Sequence, residues 1–216
     1  MTDSCVKKQS LDALVDNYGA DFPEDVTKIG EYYGNIGPEL YDQYMEHINF
    51  NAEPYNIAPA VEEILNLPTD AKILDVGCGT GMIGKLISKR GYNNIYGVDA
   101  TQKFIDAARL TGIYQENECM YLGAGQFPEK YQNEFDCVIA SGVWLKGHIP
   151  ASGYEDVYSA MKVGSYFITA MRTKYWVDGE DEGYKDKLNT YTESGQLELV
   201  ETRLFKRGIE GGTDLM

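Results

Sequence analysis

Apolar and polar positions change their spacing along this chain, and from about residue 72 to 171 strand-like runs alternate with helix-like ones. The apolar runs predict five strands, at residues 72–76, 94–98, 118–122, 135–140 and 164–171. Helical apolar spacing occupies the stretches between them, at about 81–90, 101–110 and 153–161. This alternation predicts an α/β fold with a mostly parallel, Rossmann-like sheet and right-handed crossovers that place helices on both faces.

The chain on either side of this region has a different pattern. Before residue 70 it is helical and rich in tyrosine, and we expect two or three helices over residues 10–66, with Pro38, Pro54 and Pro59 at helix starts. After the fifth strand we expect an acidic solvated loop at 178–182, a polar helix to about residue 193 and a strand-like segment at 197–206.

The end of the chain reads less clearly. Residues 208–213 read as a turn with no convincing partner strand after it, which suggests an incomplete final hairpin or a chain shortened at its C-terminus. We predict a single domain in which residues 1–66 form a helical cover and residues 67–216 form the core.

The most informative segment is Ile73 to Gly81, which reads as a buried strand running into a glycine loop that opens a helix. Gly77, Gly79 and Gly81 fall within five positions, so few side chains would keep a ligand away from the backbone N–H groups. The segment therefore predicts a cofactor cradle.

Two kinds of cofactor compete for this cradle. Residues 79–84 match the GxGxxG pattern of dinucleotide-binding proteins. Asp75, two residues before the first glycine, would repel a pyrophosphate and attract the ammonium and sulfonium groups of S-adenosylmethionine. Asp99 follows Gly81 by 18 residues, a spacing at which an acidic residue accepts ribose hydroxyls of either cofactor. The glycine register and Asp75 favour S-adenosylmethionine, the alternative being a nucleotide-binding loop of another kind.

Open α/β sheets bind ligands at the carboxyl edge of their strands, so residues that follow the strands should converge on one crevice. Those residues are Asp75, Asp99, Gly123 and Ser141. Tyrosines of the N-terminal helices either pack against the sheet or form a lid, because an aromatic face attracts a sulfonium. They are Tyr32, Tyr33, Tyr41 and Tyr44.

Candidate residues for the methyl acceptor follow the later strands. Methyl transfer from a sulfonium is an in-line displacement that depends mainly on positioning, and a base is needed only for a protic nucleophile. His148 is the favoured base, although a histidine before Ile-Pro also caps turns, and His47 is a weaker candidate. Trp144 is either a wall of the pocket or part of the core, and Arg172 and Trp176 follow the fifth strand beside the site.

Composition narrows the setting. The 216 residues include 19 Lys and Arg against 34 Asp and Glu, a net charge of -15 that disfavours nucleic acids and anionic membrane surfaces as partners. Four cysteines without paired spacing indicate reduced thiols, and no membrane-spanning run or signal peptide suggests export, so we expect a cytoplasmic protein. Two histidines and scattered cysteines do not form a metal-binding pattern, and we assign no metal.

Four segments together resemble the class I S-adenosylmethionine-dependent methyltransferases: residues 73–81, 96–100, 135–143 and 146–150. Within that superfamily the chain is most similar to the Williams-Beuren syndrome region methyltransferase-like group, from about Tyr32 to Leu199. The resemblance implies a seven-stranded sheet with a reversed C-terminal strand, and S-adenosylmethionine as the methyl donor.

The resemblance also implies roles for individual residues. The methionine end of the cofactor would lie against Asp75, Gly77, Cys78, Gly79 and Gly81, the ribose against Asp99, and the adenine edge against Ala100. Ala124 would offer its N–H, Gln126 would replace an acidic side chain that many relatives have, and Ser141 would complete the cofactor site. The proposed acceptor site consists of Tyr33, Tyr41, Trp144, Arg172 and Trp176. Lys162-Val163-Gly164-Ser165 departs from the Pro-Gly-Gly of the group.

Two functions from different classes remain open at this point. The first is an enzyme, as a monomer or homodimer, that methylates a small neutral or cationic metabolite at nitrogen, oxygen or sulfur. The second is a protein or partner subunit that binds S-adenosylmethionine without turnover. Methylation of proteins is a weaker third possibility.

Overall fold

The described residues form a sheet of seven strands, five of them parallel. The computed structural model describes residues 10–19, 22–48, 52–176, 182–206 and 213–215. The strands are β1 (Ile73–Val76), β2 (Ile95–Asp99), β3 (Tyr114–Cys119), β4 (Phe135–Ser141), β5 (Met161–Arg172), β6 (Leu204–Lys206) and β7 (Thr213–Leu215). Their order is β3-β2-β1-β4-β5-β7-β6, with β7 antiparallel to both of its neighbours. The predicted α/β class and the reversed C-terminal strand are therefore confirmed.

The centre of the sheet forms where the sequence is continuously apolar. All four residues of β1 are buried, and Ile73 pairs with Ile95 of β2 on one side and Cys137 of β4 on the other. A parallel strand that is covered on both faces needs such an uninterrupted run. Each fully buried isoleucine or leucine stabilises the fold by roughly 1.5–3 kcal/mol relative to an exposed one.

Strand β3 is the one parallel strand that the sequence placed wrongly. It spans Tyr114–Cys119 and not 118–122. At the edge of the sheet only Asn117 of this strand is fully buried, so its residues are mostly polar and lack a strand-like apolar run. The apolar residues Met120 to Leu122, which suggested the strand, lie in the loop that follows it.

The C-terminal strands also differ from expectation. Only Leu204–Lys206 of the predicted 197–206 segment forms a strand. Residues 213–215 provide the partner strand β7, so the expectation of an incomplete hairpin is wrong. A strand of three residues is too short to show an alternation of apolar and polar positions in the sequence. All but the last residue of the predicted turn at 208–213 and most of the acidic stretch at 178–182 lie outside the described residues, as does Cys5.

Eight helices are described. They are α1 (Leu11–Asn17), α2 (Ile29–Ile36), α3 (Pro38–His47), α4 (Ala52–Glu63), α5 (Met82–Ser88), α6 (Gln102–Leu110), α7 (Gly153–Ala160) and α8 (Tyr184–Glu193). Pro38 opens α3 as predicted, and Pro54 lies in the first turn of α4. Pro59 lies inside α4, so its predicted place at a helix start is wrong. None of the described helices is both long enough and apolar enough to cross a membrane.

Two apolar layers cover the sheet, as strand β4 illustrates. Val138 and Ala140 belong to the layer that contains residues of α7 and α8, whereas Cys137 and Ile139 belong to the layer of α4 and α5. A third, smaller cluster joins α1, α2 and α3. We call these three helices the cover.

Candidate functional site

The loop between β1 and α5 has the backbone geometry of a ligand cradle. Gly77 and Gly79 have φ angles of 68° and 55°, which other residues rarely adopt. A Cβ atom at Gly77 would lie 2.2 Å from Cγ1 of Val143, so this position is packed closely. A Cβ atom at Gly79 would meet nothing within 4 Å, so this part of the loop presents bare backbone to open space. That arrangement fits a cofactor resting against the loop.

A cavity of about 230 Å³ lies at the carboxyl ends of the strands, between the glycine loop and the cover. It brings together many of the residues that the sequence singled out, although they are distant along the chain. Those that line it are Gly77, Gly79, Asp99, Ala100, Ser141, Tyr33, Tyr41, Tyr44, Trp144, His148 and Arg172. This is the edge at which open α/β sheets bind their ligands.

The other predicted site residues do not line this cavity. Cys78 is buried, and Gly81 packs against the ring of Tyr114. Ala124 and Gln126 are exposed. Trp176 is half-buried and packs against the core beside β5.

Asp75 departs most from its predicted place. Its side chain is 1% exposed, and its carboxylate accepts a hydrogen bond from the Tyr114 hydroxyl at 2.8 Å. Burial raises the pKa of Asp75 to about 7, against the effect of the Tyr114 hydrogen bond. Asp75 is not among the residues that line the cavity. The argument that this charge selects a cationic cofactor is therefore not supported by the structure.

Asp99 lies at the wall of the cavity and is held by backbone N–H groups. Its Oδ2 accepts a hydrogen bond from the Gly79 N–H at 3.0 Å, and its Oδ1 accepts one from the Thr101 N–H at 2.8 Å. Burial raises the pKa of this carboxyl, and the two N–H groups oppose the change. Each carboxylate oxygen has a second lone pair with which it can accept a hydroxyl. Its geometry suits the ribose role, which stays a prediction.

Sequence reasoning missed the residues on the β3 side of the cavity. Met120, Tyr121 and Leu122 line it, immediately after the true end of β3 at Cys119. The sequence assigned this wall to Ala124 and Gln126 because it placed β3 too late. The apolar character of residues 120–122 was the available signal, but it was read as part of a strand.

Helices α2 and α3 of the cover each contact a loop beside the cavity. In α2, a Cβ atom at Gly30 would lie 2.2 Å from the carbonyl oxygen of Ala100 and 2.7 Å from the hydroxyl of Tyr121. In α3, the carboxylate of Asp42 accepts a hydrogen bond from the Thr80 hydroxyl at 2.6 Å. The cover thus touches both the loop after β2 and the glycine loop.

A chain of hydrogen bonds runs from the cover to His148. The Nδ1 atom lies 3.2 Å from the carbonyl oxygen of Lys146, and Nε2 lies 2.7 Å from the hydroxyl of Tyr33. Since a carbonyl can only accept, we assign the proton to Nδ1, and Nε2 then accepts from Tyr33. The Tyr33 hydroxyl, 2.9 Å from that of Tyr18, in turn accepts from Tyr18.

These surroundings keep His148 neutral. Burial, with a smaller contribution from the nearby charge of Arg172, lowers the pKa of its imidazole to about 4, against the effect of the hydrogen bond with the Lys146 carbonyl. A general base works best when its pKa is near the working pH and its lone pair faces the substrate. Because Nε2 already accepts a hydrogen bond from Tyr33, the geometry suits a positioning role better than the predicted role of base.

Aromatic side chains form much of the remaining wall. Tyr33 packs against Tyr41 and Phe104, with ring centroids 5.6 Å away in both cases. Trp144 is 1% exposed, stacks on Tyr154 at 4.0 Å and donates its Nε1–H to the Thr169 hydroxyl at 2.7 Å. Trp144 therefore belongs to the core and also lines the cavity, and its role as a wall of the acceptor pocket stays a prediction.

The rest of the described structure lacks the chemistry of a cofactor or metal site. A depression of about 500 Å³ lies between β5 and residues 196–203, and its walls do not include the glycine loop or Asp99. Within the described residues, no group of three His, Cys, Asp or Glu side chains is arranged to hold a metal ion. The cavity beside the glycine loop is therefore the candidate functional site.

Comparison with known proteins supports a cofactor site at the glycine loop. Residues 73–164 match a protein family described as methyltransferase domain. Methyltransferase-like protein 27 from Homo sapiens is 25% identical over 145 residues, which cover 67% of this chain and 58% of the relative. An 18S rRNA (guanine-N(7))-methyltransferase from Mus musculus is 29% identical over 164 residues, 69% of this chain and 50% of the relative. The chain thus spans little more than half the length of these relatives.

A solved structure has the same fold. Magnesium protoporphyrin IX methyltransferase from Synechocystis, crystallised with bound SAH, superimposes with a TM-score of 0.62. The match covers 88% of this chain and 98% of that one, at 14% sequence identity. The human relative agrees with the Williams-Beuren region group that the sequence resembles.

Proposed function

We propose that this chain is a class I S-adenosylmethionine-dependent methyltransferase, and that it transfers a methyl group from this donor to a small molecule. The acceptor atom is a nitrogen, oxygen or sulfur. The observation that supports this proposal most is the convergence of the glycine loop, Asp99 and the aromatic cover on one cavity.

The donor would lie along the carboxyl edge of the sheet. Gly77 and Gly79 would face its methionine end, and Asp99 would accept its ribose hydroxyls. Its adenine would pack near Ala100 and the Met120–Leu122 segment. The fit rests on the open space in front of Gly79 and on the carboxylate held at the cavity wall.

A small acceptor is favoured over RNA or a folded protein by two features. The cover lies across the cavity, and the net charge of -15 repels a phosphate backbone. The volume of about 230 Å³ is below the roughly 300–1,000 Å³ of typical ligand pockets. We therefore expect the cover to move outward when donor and acceptor bind together.

The protein's contribution to the reaction is positioning. S-adenosylmethionine supplies an electrophilic methyl group on a sulfonium sulfur. The glycine loop and Asp99 fix the donor side, while Tyr33, Tyr41 and Phe104 exclude water around the reacting atoms. His148 holds the Tyr33 hydroxyl in place, so the acceptor supplies its own lone pair without a strong protein base.

Calorimetry with S-adenosylhomocysteine, followed by detection of this product after incubation with S-adenosylmethionine and a small-molecule extract, tests the proposal. Saturable binding together with product formation in the extract is expected. Binding without product would favour the non-catalytic alternative, and no binding of either compound would contradict both.

Replacing Asp99 by alanine tests the placement of the ribose. The affinity for S-adenosylhomocysteine should fall by about 1–3 kcal/mol, because two hydroxyls lose their acceptor. Asp106→Ala on the exposed face of α6 is the matched control and should leave the affinity unchanged. An unaltered affinity in Asp99→Ala would refute the placement.

A further inference from the structure

Arg172 brings a positive charge to the acceptor side of the cavity. It ends β5, is half-buried and lines the cavity wall. Its guanidinium is close enough to His148 to lower the pKa of the imidazole. Among the ion pairs of the described residues, none involves Arg172.

The other ionisable groups of the described cavity wall do not neutralise this charge. Asp99 is bonded to the N–H groups of Gly79 and Thr101, on the β2 side. His148 is neutral, and burial holds the pKa of Tyr33 well above its usual range. Arg172 is thus the one cationic side chain on the described wall.

Apolar and aromatic residues make up much of the rest of the cavity wall that Arg172 lines. Trp144, Leu145 and Met171 line the same cavity, and Tyr33 and Phe104 complete its wall from the cover and α6. Such walls suit a planar apolar body. A planar guanidinium binds a carboxylate through two parallel hydrogen bonds, which a lysine cannot reproduce.

We propose that the methyl acceptor is an aromatic carboxylic acid whose carboxylate is bound by Arg172. The inference rests on the proposed function, since it concerns the acceptor of the same cavity. It replaces the neutral or cationic acceptor that the acidic composition suggested, because the local charge on the cavity wall outweighs the average surface field at contact distance.

Binding of simple probes tests the proposal without knowledge of the natural acceptor. Benzoate and its uncharged counterpart benzamide are titrated into the protein, with and without S-adenosylhomocysteine, and followed by NMR. Benzoate should bind saturably and more tightly than benzamide. Arg172→Gln should weaken benzoate binding about tenfold or more and leave benzamide binding unchanged.

Three further variants complete the design. Lys162→Gln removes a cation from the opposite end of β5, where Lys162 pairs with Asp136. Because exposed ion pairs contribute little, this variant should change benzoate affinity by less than about twofold. Arg172→Lys should recover only part of the affinity. Asp214 lies opposite Arg172 in the register of β5 and β7, so Asp214→Asn tests whether that carboxylate competes for the guanidinium. This variant should leave benzoate affinity unchanged.

Several results would overturn the inference. The first is that benzoate binds no more tightly than benzamide. The second is that Lys162→Gln lowers benzoate affinity as much as Arg172→Gln does. The third is that Asp214→Asn raises benzoate affinity strongly. Binding of S-adenosylhomocysteine is measured on the same samples and reports separately on the proposed function. If the protein binds S-adenosylhomocysteine but does not bind benzoate more tightly than benzamide, only the inference about the acceptor fails.

Discussion

At the scale of single residues, the half-buried His148 of the cavity wall and the buried Asp75 beside the glycine loop have pKa values that are shifted in opposite senses. His148 is kept neutral between Tyr33 and the Lys146 carbonyl. Asp75 is buried under the glycine loop with the Tyr114 hydroxyl as partner. Both shifts arise from burial, which disfavours the charged form of either group. Each therefore has a measurable effect on stability.

The first prediction concerns acid stability. The folded pKa of His148 is about 4, whereas an unfolded histidine titrates near 6.5. Between these values only the unfolded chain binds the proton, so stability is lost as the pH falls. His148→Gln should remove this loss, on the order of 3 kcal/mol, in urea unfolding at a series of pH values. His47→Gln, on the exposed face of α3, should behave as the wild type. Equal pH dependence in all three proteins would contradict the buried, neutral imidazole.

The second prediction concerns Asp75 and has the opposite sign. Its folded pKa is about 7, whereas an unfolded aspartate titrates near 3.9. The folded protein keeps a proton that the unfolded chain has released, so stability falls as the pH rises through this window. Asp75→Asn cannot ionise and should gain stability relative to wild type between these pH values, on the order of 3 kcal/mol. The exposed control Asp106→Asn should show no such gain. A constant difference between Asp75→Asn and wild type would show that Asp75 is solvated.

At the scale of elements, the contact between α2 and the loop after β2 decides how the cover lies. Gly30 allows the helix backbone to approach Ala100 and Tyr121 more closely than any side chain would permit. The third prediction is that Gly30→Ala displaces the cover, lowering thermal stability and changing affinity for S-adenosylhomocysteine. Both are read from melting curves with and without the ligand.

Gly34 in the same helix provides the matched control. A Cβ atom there would meet nothing within 4 Å, so Gly34→Ala should stabilise α2 by about 0.5–1 kcal/mol through helix propensity alone. If the two alanine variants melt alike, the close approach of α2 is not a constraint on the fold.

Elements differed in how well the sequence predicted them, for physical reasons. Strands β1 and β4 are buried on both faces, so their apolar runs show directly in the sequence. Strand β3 lies at the sheet edge and has mostly polar residues with one buried position. Its sequence therefore has no apolar run, and the strand was predicted too late in the chain. The fate of Asp75 depends on Tyr114, which is 39 residues away, and no local pattern reveals such a contact.

At the scale of the whole molecule, the acidic surface and the cavity have different electrostatic characters. The net charge of -15 describes the average surface, whereas the cavity wall carries Asp99 at the end of β2 and Arg172 at the end of β5. Composition therefore predicts which large partners are repelled but not which small molecule is bound. The predictions of a cytoplasmic location and of a monomer or homodimer stay predictions.

The central claim is that the glycine loop and Asp99 form a site for an adenosyl sulfonium donor and not for a dinucleotide. Equilibrium dialysis of the full chain against S-adenosylmethionine and, separately, against NAD tests this claim most directly. We expect saturable binding of S-adenosylmethionine at one site per chain and none of NAD. Binding of NAD without binding of S-adenosylmethionine would contradict the account.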